Sequence, residues 1–359
     1  MKRVVHIMYS GLGGHGSVVF SYLNGEYLEN YDHHLLFFGI EDLLPEYEEE
    51  CKRRNISYSF IRKKGFIKSI IALSAHIRSL NPKLIINHSL PAVVVLMALR
   101  IKFILVEHTA WKMRRIIDLV LSSISPIFAR KVVFLTPYAL KNAPWIVKLF
   151  LTDSKVSIIS NGIDTIKFSS VEKKIETSFP LIVSHGRLVP QKDFDTMFKG
   201  MNRLSKKGFD FKVVIAGDGE LEDELKNLVK KQNMDSYVTF AGRLDEDRLV
   251  DLLQRANIYV NSSVAETMST AIMQALSSEL LCLVSDIEEN TLLVKDGVTG
   301  YTFKAKDDKD LADKLSRICT RTDDQIAKRG REFIVKNYSS NKMASNYQEL
   351  TENVFKGRK

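Results

Sequence analysis

ANIYVNSSVAETMSTAIMQALSSELLCLVSDIEE, residues 256–289, is the stretch whose reading decides the fold. The apolar run 258–260, closed by Asn261-Ser262-Ser263, reads as a buried strand. A lone acid, Glu266, and the segment Thr267-Met268-Ser269-Thr270 follow, with hydroxyl residues suited to an N-cap. Ile272, Met273 and Leu276 keep helical spacing, and a second apolar run, 280–284, leads to Asp286. Strand, loop, helix and strand in that order make a βαβ unit, with the loop at the carboxyl end of a parallel strand. A helix start placed there aims free N–H groups at a phosphate or another anion. Glu266 stands just before it, where an acid can accept sugar hydroxyls beside the bound phosphate. An ordinary βαβ unit with a surface glutamate contains the same residues, and on this stretch the two readings stand level.

The rest of the chain repeats the rhythm. Strands are expected at 4–9, 35–39, 58–61, 84–87, 103–108, 132–135 and 156–159, with helices at 18–28, up to about 54, at 66–80 and up to 98. Such alternation predicts a doubly wound parallel α/β sheet. Gly11, Gly13 and Gly16 have the spacing of a dinucleotide-binding turn, but no acid ends the next strand, so the fingerprint is incomplete. His108 ends a strand, at the edge where such sheets hold ligands; position alone favours a capping or packed histidine. Ser160-Asn161-Gly162-Ile163-Asp164 is expected to turn, since Asn-Gly tolerates positive φ. The polar span 169–178 reads as a linker between two domains, 1–170 and 171–338, followed by a C-terminal helix in 339–359.

After the linker the pattern restarts with strand 181–185 and Gly186-Arg187-Leu188-Val189-Pro190-Gln191-Lys192-Asp193. An arginine and a lysine five apart in a strand-to-helix loop can clamp a diphosphate, one as a fork and one as a point charge; two loop cations are more often simply solvated. Strand 212–216 leads to Gly217-Asp218-Gly219-Glu220, and strand 237–240 to Gly242-Arg243. Helices are expected at 309–319, 324–336 and 340–355.

Composition sets the outer bounds. At 359 residues, 45% hydrophobic and 26% charged, the chain is long enough for two domains with their own cores. Its three cysteines keep no metal-ligand spacing, which points to a reducing compartment. The basic start and apolar run 4–8 are too short for a signal peptide, and the best candidate span, 92–106, is cut by Arg100 and Lys102. A formal charge of +9 calls for an anionic partner. The basic residues form no nucleic-acid recognition module.

The central stretch resembles the donor-site segment of retaining glycosyltransferases of family 4, which have the two-domain GT-B fold. That family carries two glutamates separated by seven residues, with glycines after the first. Glu266 takes the first place, whereas Gln274 stands at the second and Thr267 and Ser269 replace the glycines. The run from Gly186 to Lys192 is similar to the family's G-R-x-x-x-x-K, and Asn161-Gly162-Ile163-Asp164 to its interdomain junction. The resemblance covers nearly the whole chain, most strongly 180–305. It implies that Gly13 and Gly14 contact donor phosphate and acceptor, that His108 contacts the donor sugar, and that Arg187 and Lys192 bind the pyrophosphate. It also implies base contacts at Arg243, ribose contacts at Gln274 through its carbonyl oxygen, and helix amides near Ser269 and Thr270 facing the leaving group, with Glu266 orienting the sugar. The spacing Asp193-Phe194-Asp195, shared with metal-dependent glycosyltransferases of another fold, is set aside because these acids start a helix, where the dipole favours them.

The implied protein is a metal- and cofactor-independent glycosyltransferase of the surface-polysaccharide type. It would move a sugar from a nucleotide-sugar, UDP favoured over GDP, to a lipid-linked glycan. A GT-B nucleotide-sugar epimerase and an inactive homologue that only binds are the alternatives. Basic residues alternate with large apolar ones at Arg62-Lys63-Lys64-Gly65-Phe66-Ile67-Lys68, at Trp111-Lys112-Met113-Arg114-Arg115 and around Lys141, Trp145 and Lys148. Phe66, Ile70, Leu73, Ile77 and Leu80 share one helix face expected to pack on the sheet. Such basic residues are usually just a solvated rim, but basic charge beside exposed aromatics also suits docking on anionic lipid, and the expectation is a cytoplasmic protein peripheral on the inner face of a membrane.

Overall fold

The structure, a computed structural model, describes residues 1–11, 15–108, 116–170, 179–320 and 324–357. The chain divides into two compact units, Met1–Gly162 with Ser340–Lys359, and Ile163–Ser339.

The first unit is a parallel sheet of seven strands: β1 (Arg3–Met8), β2 (Asp32–Gly39), β3 (Ser57–Arg62), β4 (Leu84–Asn87), β5 (Phe103–Glu107), β6 (Lys131–Phe134) and β7 (Val156–Ile158). Their order, β3-β2-β1-β4-β5-β6-β7, reverses direction between β1 and β4. Both faces are covered, so inner strands such as β5 are buried along their whole length, and β5 is apolar up to its last residue, Glu107. One face packs Val5, Ile7, Ile85 and Phe103 against Leu73, Ile77 and Leu96. Helix Phe66–Leu80 has the expected bounds and ends on Asn81 in the left-handed region. Its expected inner face is corrected at one end: Leu73 and Ile77 are buried, while Phe66 is 66% exposed.

The single helix expected at 18–28 is two helices, His15–Tyr22 and Gly25–Asn30. Gly25 takes φ +50, a conformation no helix interior tolerates, and the Asn24 amide donates back to Ser21 O at 2.5 Å. The C-terminal helix, Ser340–Phe355, packs on both. There Tyr347 stacks on Tyr22 with ring centroids 4.0 Å apart, and the Tyr27 and Thr351 hydroxyls bond at 3.0 Å. Asn161 and Gly162 do not turn through positive φ as expected. The Gly162 amide instead donates to Met343 Sδ at 3.1 Å, which holds this stretch against the C-terminal helix. The division between units falls here, ahead of the polar span 169–178, of which 171–178 lie outside the described residues.

The second unit is a parallel sheet of six strands: β8 (Leu181–His185), β9 (Lys212–Ala216), β10 (Val238–Gly242), β11 (Ile258–Asn261), β12 (Leu281–Ser285) and β13 (Tyr301–Phe303). The order is β10-β9-β8-β11-β12-β13, so direction reverses between β8 and β11. Helix Phe194–Lys206 shows why the local pattern suffices: Phe194, Met197, Phe198, Met201 and Leu204, three and four apart, are all buried against the sheet. Strand β13 escaped the sequence reading because three residues, one of them threonine, carry too little periodicity. Among the described residues no helix is long and apolar enough to cross a membrane.

Candidate active site

Ligands of open α/β sheets sit beyond the carboxyl ends of the strands where the order reverses. In the second unit that place lies between β8 and β11, and the loops after these strands hold the residues singled out in the sequence.

The loop after β8 is built on backbone contacts with the loop after β9. Gly186 N–H donates to Ala216 O at 2.9 Å, Leu188 N–H to Asp218 O at 2.7 Å, and Leu221 N–H to Leu188 O at 3.1 Å. Two glycines make room for this. A Cβ on Gly217 would lie 2.0 Å from Gly186 O and one on Gly219 2.4 Å from Leu188 O, and both have φ values (+144 and +156) that side chains disfavour. A short 3₁₀ turn, Pro190–Lys192, then folds Lys192 back over Gly186. Asp193 caps helix Phe194–Lys206, accepting from the Thr196 hydroxyl at 2.7 Å, and Asp195 pairs with Lys199 at 2.6 Å. Both acids of the Asp-x-Asp spacing are therefore engaged in starting that helix.

Across the reversal point the loop after β11 is stitched to this turn. Val264 N–H donates to Gln191 O and the Ser262 hydroxyl to Lys192 O, each at 2.8 Å. The result brings Lys192 Nζ to 2.5 Å from Glu266 Oε1, which also accepts from the Ser263 hydroxyl at 2.8 Å. These side chains are only 17% and 13% exposed. Immediately beyond, Ser269 caps helix Thr270–Ser277 through its hydroxyl, leaving Thr270 at the first helical position. A cation, an acid and a helix N-terminus thus converge from residues more than seventy apart in sequence. Arg187 is exposed on the same loop as Lys192. Arg243, also exposed, follows Gly242, whose carbonyl accepts from Gly217 N–H at 2.8 Å, so its turn adjoins the loop after β9.

Gln274 Oε1 accepts from His185 Nε2 at 2.9 Å, which leaves a second lone pair on the carbonyl expected to serve a ribose. Burial, opposed by the Gln274 bond and aided by Lys192, pushes His185 down to about 4, so the ring is neutral near pH 7. His185 Nδ1 is buried with no hydrogen-bond partner among the described residues. Neither His185 nor the Asn261–Ser263–Asn290 set beneath the loop was singled out in the sequence. Asn261 Oδ1 accepts from Ser263 N–H at 3.1 Å and from the Asn290 amide at 3.2 Å. A polar Asn-Ser-Ser cluster closing a buried strand was the available signal.

In the first unit, Gly13 and Gly14 lie outside the described residues, as do Trp111 to Arg115. The flanks of the glycine turn do meet an acid after all. Glu41, two residues past β2, lies against Gly11, where a Cβ would fall 1.6 Å from its Oε2, and Ser10 donates to its backbone oxygen at 2.7 Å. Burial and this carboxylate raise the Tyr9 hydroxyl. His108 follows β5, half-buried, with Nε2 at 2.7 Å from His88 Nδ1. Among the described residues no group of His, Cys, Asp and Glu side chains is placed to hold a metal ion.

Two Rossmann-type parallel sheets, each with its own reversal point, are the architecture of the GT-B fold. Residues 165–333 match the family described as glycosyl transferases group 1. Of the solved structures, Anabaena HepE in complex with UDP and glucose superposes with a TM-score of 0.84 over 98% of this chain and 100% of that one, at 14% identity. Sucrose-phosphate synthase from Thermosynechococcus elongatus gives 0.83 over 99% and 100%, at 16% identity. Among curated relatives, the UDP-Gal:α-D-GlcNAc-diphosphoundecaprenol α-1,3-galactosyltransferase of Escherichia coli is 29% identical over 57% of this chain and 56% of its own length. The gpi3 subunit of the Schizosaccharomyces pombe phosphatidylinositol N-acetylglucosaminyltransferase is 26% identical over 49% of this chain and 38% of its own. The chain therefore spans about half or less of these relatives' lengths.

Proposed function

We propose that this protein is a retaining, metal-independent glycosyltransferase that moves a sugar from a UDP-sugar to a lipid-linked glycan. The observation that carries the reading is the Lys192–Glu266 pair beside the N-terminus of helix Thr270–Ser277, at the reversal point of the sheet. Lys192 and Arg187 would hold the diphosphate, and the amides at Ser269 and Thr270 would face the charge that grows as it departs. Preorganised charge of this kind is commonly the largest contribution to such catalysis. Glu266 and His108 would orient the sugar, and no covalent nucleophile is assigned. The UDP in the HepE complex and the lipid-diphosphate acceptor named in the E. coli relative support the choice of donor and acceptor class.

The test is a panel of nucleotide-sugars screened for thermal stabilisation. The stabilising donor is then incubated with polyisoprenyl-diphosphate-linked GlcNAc, with and without EDTA, and the anomer formed is read by NMR. Product with the donor's anomeric configuration, unaffected by EDTA, is expected. Donor consumption without acceptor would identify an epimerase, and binding without turnover an inactive homologue.

Lipid docking belongs to the same proposal. Helices Phe66–Leu80, Val93–Ala98, Ile116–Phe128 and Trp145–Lys148 are successive neighbours in the first unit. They leave Phe66, Ile67, Ile71, Val120, Trp145 and Leu149 more than half exposed. Lys64, Lys68, Lys141 and Lys148 are exposed on the same elements or next to them. Apolar side chains rimmed by cations fit an anionic bilayer surface, here the inner leaflet.

A further inference from the structure

In the first unit a run of buried rings crosses the sheet, joined end to end by hydrogen bonds. His33 Nε2 lies 2.8 Å from the Tyr27 carbonyl, and His33 Nδ1 lies 2.9 Å from His6 Nε2. His6 Nδ1 lies 2.9 Å from the Tyr22 hydroxyl, which lies 2.8 Å from His88 Nε2. His88 Nδ1 then meets His108 Nε2 at 2.7 Å. The members come from β2, β1, the helix after β1, and the residues that follow β4 and β5. His6 and Tyr22 are completely buried, His33 and His88 are 5% exposed, and Tyr347 of the C-terminal helix stacks over Tyr22.

The far end of the run has only one possible polarity. A backbone carbonyl can only accept, so His33 donates through Nε2. A neutral imidazole carries one N–H, so His33 Nδ1 must accept, and His6 donates to it through Nε2. His6 Nδ1 is then an acceptor, which takes the single hydroxyl proton of Tyr22. The Tyr22 oxygen in turn receives His88 Nε2–H, and His88 Nδ1 receives His108 Nε2–H. Burial keeps His6 and His33 below the ordinary histidine range, in agreement with neutral rings. A proton added to His33, His6 or His88 would turn round every bond between it and His108 and leave a charge inside the buried run. On Nδ1 of His108 it breaks none of these bonds.

We propose that the Tyr27 carbonyl, acting through His33, His6, Tyr22 and His88 as positioning residues, sets the tautomer of His108: Nε2 is the donor and Nδ1 the acceptor. Taken with the proposed function, this makes His108 Nδ1 an acceptor suited to a hydroxyl group of the sugar. That consequence rests on the glycosyltransferase reading, whereas the tautomer assignment does not.

The assignment is tested on the full chain labelled with ¹⁵N-histidine, without substrate, by long-range ¹H–¹⁵N correlation, which reports the protonated nitrogen of each ring. All four histidines of the run are expected as Nε2–H. In Tyr22→Phe, His88 Nε2 loses the hydroxyl oxygen it donates to, which favours the other tautomer. His88 should then move its proton to Nδ1 and donate to His108 Nε2, turning His108 to Nδ1–H, while His6 and His33 keep Nε2–H. Nδ1–H at His108 in the parent protein, or Nε2–H retained there in the variant, overturns the assignment. If the variant does not fold, the parent spectrum decides alone, since Nδ1–H at any ring of the run breaks its polarity. Because no substrate is present, a failed activity assay leaves these spectra valid, and the reverse holds too.

Discussion

Lys192 Nζ lies 2.5 Å from Glu266 Oε1, joining the loops after β8 and β11 across the point where strand order reverses. The pair is largely shielded from water, and the Ser263 hydroxyl adds a second bond to the same carboxylate oxygen. A diphosphate arriving at Lys192 meets a cation already neutralised by Glu266, so the two anions share or compete for one ammonium group.

This competition predicts opposite effects on nucleotide binding. Lys192→Ala and Arg187→Ala should each weaken UDP binding by about 1–3 kcal/mol, the range for a lost charged hydrogen bond. Glu266→Gln removes the rival anion and should tighten UDP binding while lowering kcat. Titration calorimetry with UDP checks the first half and steady-state kinetics the second. If Glu266→Gln weakens UDP as Lys192→Ala does, the shared-cation account is wrong.

The loop that carries Lys192 depends on Gly217 and Gly219. Alanine at either position must adopt a backbone conformation that costs about 1–3 kcal/mol, besides displacing the Gly186 or Leu188 carbonyl. Gly217→Ala and Gly219→Ala should both lower stability in urea and reduce UDP affinity. Gly208→Ala is the control: its φ is +82, but its Cβ would meet nothing within 4 Å, so only stability should fall. Undiminished UDP binding in the first two variants would show that the loop does not rely on this approach.

For the lipid surface, the expected result is sedimentation with vesicles containing anionic lipid that fades as salt rises. Lys64→Glu with Lys68→Glu should weaken it by roughly 1 kcal/mol for each positive charge lost. Phe66→Ser with Trp145→Ser should weaken it at every salt concentration, because the apolar contribution is not screened. Equal binding to neutral and anionic vesicles would count against the docking surface.

What could be read in the sequence and what could not differ in physical kind. Arg187, Lys192, Glu266, Ser269 and Thr270 sit in short strand–loop–helix units whose periodicity is local, so their placement at strand ends was legible. The His108–His88–Tyr22–His6–His33 run depends on register across β2, β1 and β4, with His6 opposite Leu35 and Ile86, and no local pattern encodes it. Glu41 was missed because the acid was sought at the end of β2, whereas it reaches Gly11 from two residues further on. The bond from His185 to Gln274 joins residues 89 apart on adjacent elements, so the glutamine was legible as a departure but its partner was not.

That bond gives the last prediction. His185 titrates at about 4 in the folded chain against 6.5 for an ordinary histidine, because the buried ring resists charge. The unfolded chain therefore binds a proton that the folded one refuses, and stability falls as pH drops from about 6.5 towards 4. For this ring alone the loss approaches roughly 3 kcal/mol at the acid end. His34, also pushed down to about 4, adds to the same acid sensitivity, so the comparison must be made between variants. In Gln274→Glu the carboxylate accepts from His185 and favours its charged form, which raises the histidine and removes its share of the acid loss. Urea unfolding at pH 7 and pH 5 should show a smaller drop in the variant than in the parent. The second carboxylate oxygen also accepts where the NH2 it replaces could only donate, so the donor KM should fall with kcat little changed. An unaltered pH dependence would mean that His185 does not depend on residue 274. A donor KM that stays the same or rises would mean that residue 274 does not face the ribose.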